Sequence, residues 1–388
     1  MRVKDYTIFQ NSEYSKYKYY GGNTVKFLKN VLEEGNKLEE FNELELSPED
    51  KELLEYLQQT KAKITVVGCG GAGNNTITRL KMEGIEGAKT VAINTDAQQL
   101  IRTKADKKIL IGKKLTRGLG AGGNPKIGEE AAKESAEEIK AAIQDSDMVF
   151  ITCGLGGGTG TGSAPVVAEI AKKIGALTVA VVTLPFAMEG KVRMKNAMEG
   201  LEKLKQNTDT LVVIPNEKLF DIVPNMPLKL AFKVADEVLI NAVKGLVELI
   251  TKDGLINVDF ADVKAVMSNG GLAMIGIGES DSEKRAKEAV NMALNSPLLD
   301  VDIDGATGAL IHVMGPEDLT LEEAREVVST VSSRLDPNAT IIWGATIDEN
   351  LENTVRVLLV ITGVQSRIEF TETGLKRKKL ELTGIPRI

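Results

Sequence analysis

The stretch Cys153-Gly154-Leu155-Gly156-Gly157-Gly158-Thr159-Gly160-Thr161-Gly162-Ser163 constrains this chain more than any other. The apolar run Met148-Val149-Phe150-Ile151-Thr152 before it has the pattern of a buried strand. Ser163 to Ile174 after it reads as a helix, with Pro165 in the first turn. Strand, glycine loop and helix make a phosphate cradle, because consecutive backbone N–H groups converge and the helix N-terminus adds positive potential. The bland alternative is a tight turn in any parallel α/β domain. Six glycines and two threonines between Gly154 and Gly162 favour anion binding, since glycine is costly in ordered structure. The loop has no lysine, so it is not a Walker P-loop.

A chain of 388 residues predicts two domains. Net charge is −7, which gives no support to a nucleic-acid surface. Interspersed Lys and Glu describe a solvated surface and suit heat adaptation. No apolar run reaches membrane-spanning length, and MRVKDYTIFQ has no signal-peptide core, so the expectation is a cytoplasmic protein without direct membrane insertion. Two cysteines, Cys69 and Cys153, exclude a disulfide framework and a Cys-rich zinc site. Both stand at strand ends by glycine loops, and the expectation is reduced, structural thiols. The one histidine, His312, lies in the apolar run Ala309 to Met314, where a core role is expected and a catalytic triad is poorly served.

Residues 1–60 read as a charged, helix-prone extension, with Ser47-Pro48 as a helix start. Residues 61–227 follow as an α/β domain, with strands at Ile64–Val67, Thr90–Asn94, Lys108–Ile111, Met148–Thr152, Leu177–Thr183 and Thr210–Ile214. Helical patterns between them, such as Lys126 to Ile143, argue a parallel sheet covered on both faces. Residues 228–252 form a long central helix, apolar at Ala235, Leu239, Ala242, Val243, Leu246 and Ile250. Residues 253–370 read as a smaller α/β domain with a mixed sheet, and residues 371–388 as a tail with the basic patch Lys376 to Lys379.

Gly68-Cys69-Gly70-Gly71-Ala72-Gly73-Asn74-Asn75 invites a dinucleotide reading, with Asn75 at the helix start and Asp96 as the acid about twenty residues on. A third glycine stretch, Gly118-Leu119-Gly120-Ala121-Gly122-Gly123-Asn124-Pro125, goes beyond what that fold needs. A triphosphate is the economical reading, with N–H groups, helix dipoles and a divalent cation, Mg²⁺, offsetting its charge.

GLGGGTGTG at 154–162 resembles the signature of the tubulin and FtsZ superfamily of GTPases. GCGGAGNN at 68–75, NTDAQ at 94–98, GLGAGGNP at 118–125, PFAMEGKVR at 185–193 and NVDFADV at 257–263 resemble the FtsZ branch. The resemblance covers roughly residues 62–365 and implies a GTP-binding domain, a central helix and a C-terminal domain, assembled head to tail in filaments of the division ring. Its implied ligands are GTP and GDP with Mg²⁺ held through phosphates and water, and K⁺ as a further candidate. It implies phosphate contacts for Gly70, Gly71 and Ala72, and a guanine contact for Asn75. Gly122 and Gly123 would face the γ-phosphate, and Ala121 and Asp96 are further implied nucleotide-binding residues. Gly156, Gly157, Gly158, Thr159, Gly160, Thr161 and Gly162 would wrap the α- and β-phosphates. Glu189 and Arg193 would hold the ribose with Asn216 nearby, against the bland reading of an i,i+4 surface pair. Phe232 would pack on the base, and Asp236 would accept from guanine N1 and N2.

The resemblance gives Asp259 and Asp262, with Asn257, the hydrolytic role in the neighbouring subunit's site. Helix capping is the bland reading of the same residues. The extension is long and a long linker before the tail is nearly absent, which departs from the bacterial pattern; Thr383 to Ile388 faintly resembles a tail that docks on membrane-anchoring partners. Two other readings stand beside a polymerising GTPase: a NAD-dependent oxidoreductase, and a GTP-binding structural protein with negligible turnover.

Overall fold

A computed structural model describes residues 62–219, 227–252, 254–268, 270–299, 303, 306–363, 368–371 and 374–377. Expectations for residues 1–60 and for Thr383 to Ile388 lie outside the described residues. The first six strands are β1 (Ile64–Cys69), β2 (Ala88–Asn94), β3 (Lys107–Leu110), β4 (Met148–Gly154), β5 (Leu177–Leu184) and β6 (Thr210–Pro215). They are rich in Val and Ile, and β1, β5 and β6 are buried at every position. Burial on both faces is what an all-parallel sheet requires. The helices among them are α1 (Gly70–Met82), α2 (Ala97–Arg102), α3 (Lys113–Thr116), α4 (Pro125–Glu134), α5 (Ala136–Ile143), α6 (Thr159–Lys173) and α7 (Lys191–Asn207).

The long helix α8 (Leu228–Thr251) is followed by α9 (Phe260–Met267), β7 (Gly271–Ser280), α10 (Arg285–Leu294), β8 (Gly308–Gly315), α11 (Leu321–Ser332), β9 (Thr340–Ile347) and β10 (Val355–Thr362). All ten strands join one sheet in the order β3-β2-β1-β4-β5-β6-β7-β10-β8-β9. β6 and β7 pair in parallel at Thr210 to Val212, so the sheet runs unbroken between the two halves. β10 is antiparallel to both β7 and β8, which makes the whole sheet mixed.

α8 is the element both halves share. Its Leu239, Ala242, Val243 and Leu246 pack in one apolar cluster with Phe150, Val181 and Ile214, and with Ile275, Leu310 and Leu358. Truncating such a leucine costs about 2–5 kcal/mol. The exposed Arg79–Glu237 pair at 3.0 Å is worth about 0.2–1 kcal/mol, so burial fixes the helix. One end lies at the carboxyl edge of the sheet, where the Phe232 ring meets Phe186 edge-on with centroids 5.2 Å apart. The other lies at the amino edge, where Thr251 Oγ1 donates to Glu86 O at 3.0 Å.

Local expectations change in three places. The helix expected over Lys126 to Ile143 is broken at Ser135 into α4 and α5. Serine is a weak helix interior, and here its hydroxyl accepts from Gly112 N–H at 3.2 Å. The first helix begins at Gly70, five residues before Asn75. The tail expected from residue 371 overlaps a hairpin, β11 (Ile368–Thr371) and β12 (Gly374–Arg377), so Lys376 and Arg377 are strand residues.

His312 is buried in β8, as its apolar run suggested. Nδ1–H donates to Gly245 O at 3.0 Å, so Nε2 accepts from Thr346 Oγ1 at 2.9 Å. Burial lowers its pKa to about 4. The unfolded chain therefore takes up a proton near the ordinary value, about 6.5, while the folded chain resists. Stability is full above that value and is lost as pH falls toward 4, with a slope of up to ~1.4 kcal/mol per pH unit from this group. Urea midpoints between pH 7.5 and 4.5 should fall more steeply for the native chain than for His312→Gln. Parallel slopes would remove His312 from the account.

Candidate functional site

The site grows from the carboxyl edge of the sheet, where β1 and β4 turn into α1 and α6. β1 enters α1 through Gly70 at φ +68°, which a side chain rarely adopts. A Cβ there would also lie 2.6 Å from Gly160 N. The two turns therefore touch backbone to backbone. Gly162 makes the next such contact: a Cβ there would collide with Pro125 O and Glu129 N of α4.

These contacts revise the glycine loop. α6 begins at Thr159, four residues before the expected Ser163, and Pro165 lies inside the helix. Glycine opposes helix locally, but Gly160 and Gly162 are the residues small enough for this packing. Part of the glycine signal thus belongs to packing.

α1 and α6 both start without a side-chain cap and with no acid in the first turn. Free N–H groups and dipole ends of two helices meet beside Gly157 and Gly158, an arrangement that favours an anion. Thr161 Oγ1 accepts from Gly156 N–H at 2.8 Å, which shapes the loop from within. Gly122 and Gly123 are exposed, with open space beside them. Ala121 is buried under the same loop, where a Cβ on Gly158 would sit 2.9 Å from its methyl. Ala72 is half-buried and Asn75 exposed on α1.

Asp96 caps α2, accepting from Gln99 N–H at 3.0 Å. The acid that a dinucleotide fold would aim at a ribose is engaged in a helix start. Residues that sequence reasoning missed lie around it. Buried Asn94 donates to Gln99 Oε1 at 2.8 Å. The Asn74 amide, also buried, donates to Gly68 O at 2.9 Å and accepts from Asn94 at 3.0 Å. Thr95 Oγ1 is 2.7 Å from Thr159 Oγ1. Their signal was a run of small polar residues directly after an apolar strand.

At the far end of the cleft Phe232 is 40% exposed, an aromatic face available to a ring. One turn along α8, the Asp236 carboxyl is half-buried; burial pushes its pKa up, and the Arg79 charge opposes that. Glu189 accepts from Phe186 N–H at 2.8 Å and pairs with Arg193 at 3.1 Å, so the i,i+4 pair is present. Asn216 is buried, and its Oδ1 has no hydrogen-bond partner among the described residues. An orphaned acceptor of that kind costs about 1–3 kcal/mol unless a ligand or water donates to it. Uncapped helix starts, an exposed ring and an orphaned acceptor on one edge fit a nucleotide. Among the described residues no cluster of three or more His, Cys, Asp or Glu side chains could hold a metal ion. No helix of the described residues is long and apolar enough to cross a membrane.

Asn257, Asp259 and Asp262 are not brought to this edge. Asn257 Oδ1 accepts from Gly254 N–H at 2.7 Å, and Asp259 Oδ1 accepts from Asp262 N–H at 2.8 Å as the cap of α9. α9 sits at the amino edge, where Thr210 Oγ1 donates to Met267 O at 2.5 Å. All three side chains are exposed.

Two family profiles match the chain: the Tubulin/FtsZ family GTPase domain over residues 63–224, and the FtsZ family C-terminal domain over residues 271–365. The chain belongs to the FtsZ family. It is 97% identical over 364 residues to cell division protein FtsZ 1 of Methanocaldococcus jannaschii, covering 94% of this chain and all of that protein. It is 66% identical to FtsZ 1 of Thermococcus kodakarensis, covering 83% of this chain and 86% of that one. A solved FtsZ dimer of M. jannaschii, empty, superposes with a TM-score of 0.84, 97% identity, 88% of this chain and all of that one. A GDP-bound CetZ1 monomer of Haloferax volcanii shares the fold at 22% identity and a TM-score of 0.67, over 78% of this chain and 94% of that one. The FtsZ GTPase domain binds guanine nucleotide, and the dinucleotide oxidoreductase reading falls with it.

Cys69 and Cys153 close the floor of the site on adjacent strands, both free and buried. Burial pushes the Cys69 thiol up to about 12 against an opposing bond to Ser163. Burial, then the neighbouring Cys69, raises Cys153. Thiolate is the reactive form, so Ellman's reagent at pH 8 should label neither thiol of the folded chain and both in urea. Labelling of the folded chain would contradict their burial.

Proposed function

We propose that this chain is a GTP-hydrolysing cell-division filament protein whose active site is completed between subunits. The observation that carries the reading is separation. The uncapped helix starts lie at the carboxyl edge of the sheet, and Asp259 and Asp262 lie at the amino edge. α8, 24 residues long, spans about 36 Å between the two edges at ~1.5 Å per residue. One chain cannot bring both to one phosphate, whereas a head-to-tail contact can. A heterologous contact that does not close builds a filament. One solved structure of the M. jannaschii relative is an empty FtsZ dimer, and curated relatives carry the name cell division protein.

In this reading Gly70, Gly71 and Ala72 and the loop Gly156 to Gly162 hold the phosphates, with the Gly156 N–H engaged by Thr161 and the Gly162 N–H by Gly158 O. Gly122 and Gly123 face the γ-phosphate. Mg²⁺, held by phosphates and water, supplies charge neutralisation. Phe232 stacks on the base, Asp236 and Asn75 read guanine, and Glu189, Arg193 and Asn216 hold the ribose. The adjacent subunit's loop, through Asp259 and Asp262 with Asn257, orients water for phosphoryl transfer. Work is done in the cytoplasm at the division site, and partners anchor the filament to the membrane through the tail.

Asp259→Ala removes a cap worth about 1 kcal/mol, so the fold should survive. Asp259→Ala and Asp262→Ala should each bind GTP and lose most turnover, read as phosphate release. Mixing either with a Gly158 variant that cannot bind GTP should restore part of the activity at mixed contacts. Full turnover by dilute monomers would refute the shared site. Phosphate release by the assembled native chain separates this reading from a structural protein that binds GTP without hydrolysing it.

Asp236→Ala should weaken GTP binding and relax discrimination against ATP, because two guanine donors lose their acceptor. Competition of GTP and ATP for a fluorescent guanine nucleotide gives the ratio; an unchanged preference removes Asp236 from base recognition.

A further inference from the structure

Thr95 is fully buried where all three glycine stretches converge. Its carbonyl accepts from Gly120 N–H at 3.1 Å and from Thr116 Oγ1 at 3.4 Å. Two residues on, Ala97 N–H donates to Gly118 O at 3.0 Å, and Asp96 bridges Leu119. The loop over residues 118–123 is thus tied by backbone bonds to the segment 95–97. That segment is tied in turn to the start of α6 by one side-chain bond, Thr95 Oγ1 to Thr159 Oγ1 at 2.7 Å. The contact of Gly70 with Gly160 joins α1 to α6 separately.

We propose that Thr95 is a positioning residue that sets the preference for nucleoside triphosphate over diphosphate. The inference rests on the reading above, in which residues 118–123 face the γ-phosphate. A phosphate only accepts hydrogen bonds, so a bound nucleotide turns the Thr159 hydroxyl toward it as donor. Thr95 must then donate to Thr159. That bond locks the segment 95–97, and with it Gly118 and Gly120, at a fixed distance from the diphosphate cradle. Without it the loop loses its tether on the 95–97 side and keeps its packing of Ala121 and Asn124 against Gly158, while the cradle of α1 and α6 stays intact. The γ-phosphate contacts weaken and the others remain.

The test measures affinities for GDP and for the slowly hydrolysed analogue GTPγS, by competition with a fluorescent guanine nucleotide and the full chain below its assembly concentration. Thr95→Val keeps the shape and removes the hydroxyl. It should lose GTPγS affinity about tenfold, equivalent to ~1.4 kcal/mol, with GDP affinity and nucleotide-free thermal midpoint unchanged. Thr95→Ser should restore the ratio. In a double-mutant cycle, Thr95→Val and Thr159→Val should be non-additive for GTPγS. Equal weakening of GDP and GTPγS, or no change in either, overturns the proposal. Thr95→Ala removes the same bond and decides the matter if Thr95→Val does not fold. Failure of the native chain to bind either nucleotide would instead refute the function proposed above.

Discussion

The structure depends on one kind of contact, backbone against backbone where three glycine segments meet. Gly70 touches Gly160, and Gly162 touches α4 through Pro125 and Glu129. These contacts bring the starts of α1 and α6 to one spot, and the first N–H groups of both helices are left without side-chain caps. A side chain at either glycine would push the helices apart. It would turn a joint anion site into two weak ones. The packing and the chemistry therefore make the same demand, and glycine meets it at both levels.

The long helix supplies the second constraint. Its apolar face packs on strands from both halves of an unbroken sheet, so the chain has one stiff ruler from edge to edge. Phe232 and Asp236 stand near its start and Thr251 at its end. Any shift of the helix along its axis would move Phe232, Asp236 and the α9 loop together. Apolar burial is non-directional, but interdigitated packing allows discrete positions and no sliding between them. Such a ruler fixes the distance between the two edges without a chain of polar contacts.

Much of this was legible in the sequence because the signals are local and periodic. Apolar strands, the 228–252 helix and the alternation of the second half each follow from spacing within one element, and the structure places them within a few residues. Three things were not legible. The start of α6 at Thr159 requires knowing that α1 and α4 press on Gly160 and Gly162 from elsewhere in the chain. The break at Ser135 depends on Gly112, 23 residues earlier in sequence. Thr95 and Asn94 look like ordinary loop residues until the sheet brings Thr159 and Asn74 to them. These three misses each concern a partner distant in sequence.

The candidate site also explains why hydrolysis in this fold would be conditional. The cradle offers donors: backbone N–H groups, hydroxyls and two helix dipoles. Donors stabilise charge on phosphate, but they do not take a proton from water or aim its lone pair. Asp96 is spent on capping α2, and Glu189 on Phe186 and Arg193. Carboxylates held in this way as acceptors are poorly placed to orient a water. In the function proposed above, this edge holds the triphosphate and supplies no acid that is left to aim water. Asp262, whose side chain is exposed and whose backbone N–H alone is taken by Asp259, keeps its carboxylate available. In the function proposed above, the exposed carboxylate at one edge and the cradle of donors at the other are two half-sites, and chemistry begins when two copies meet.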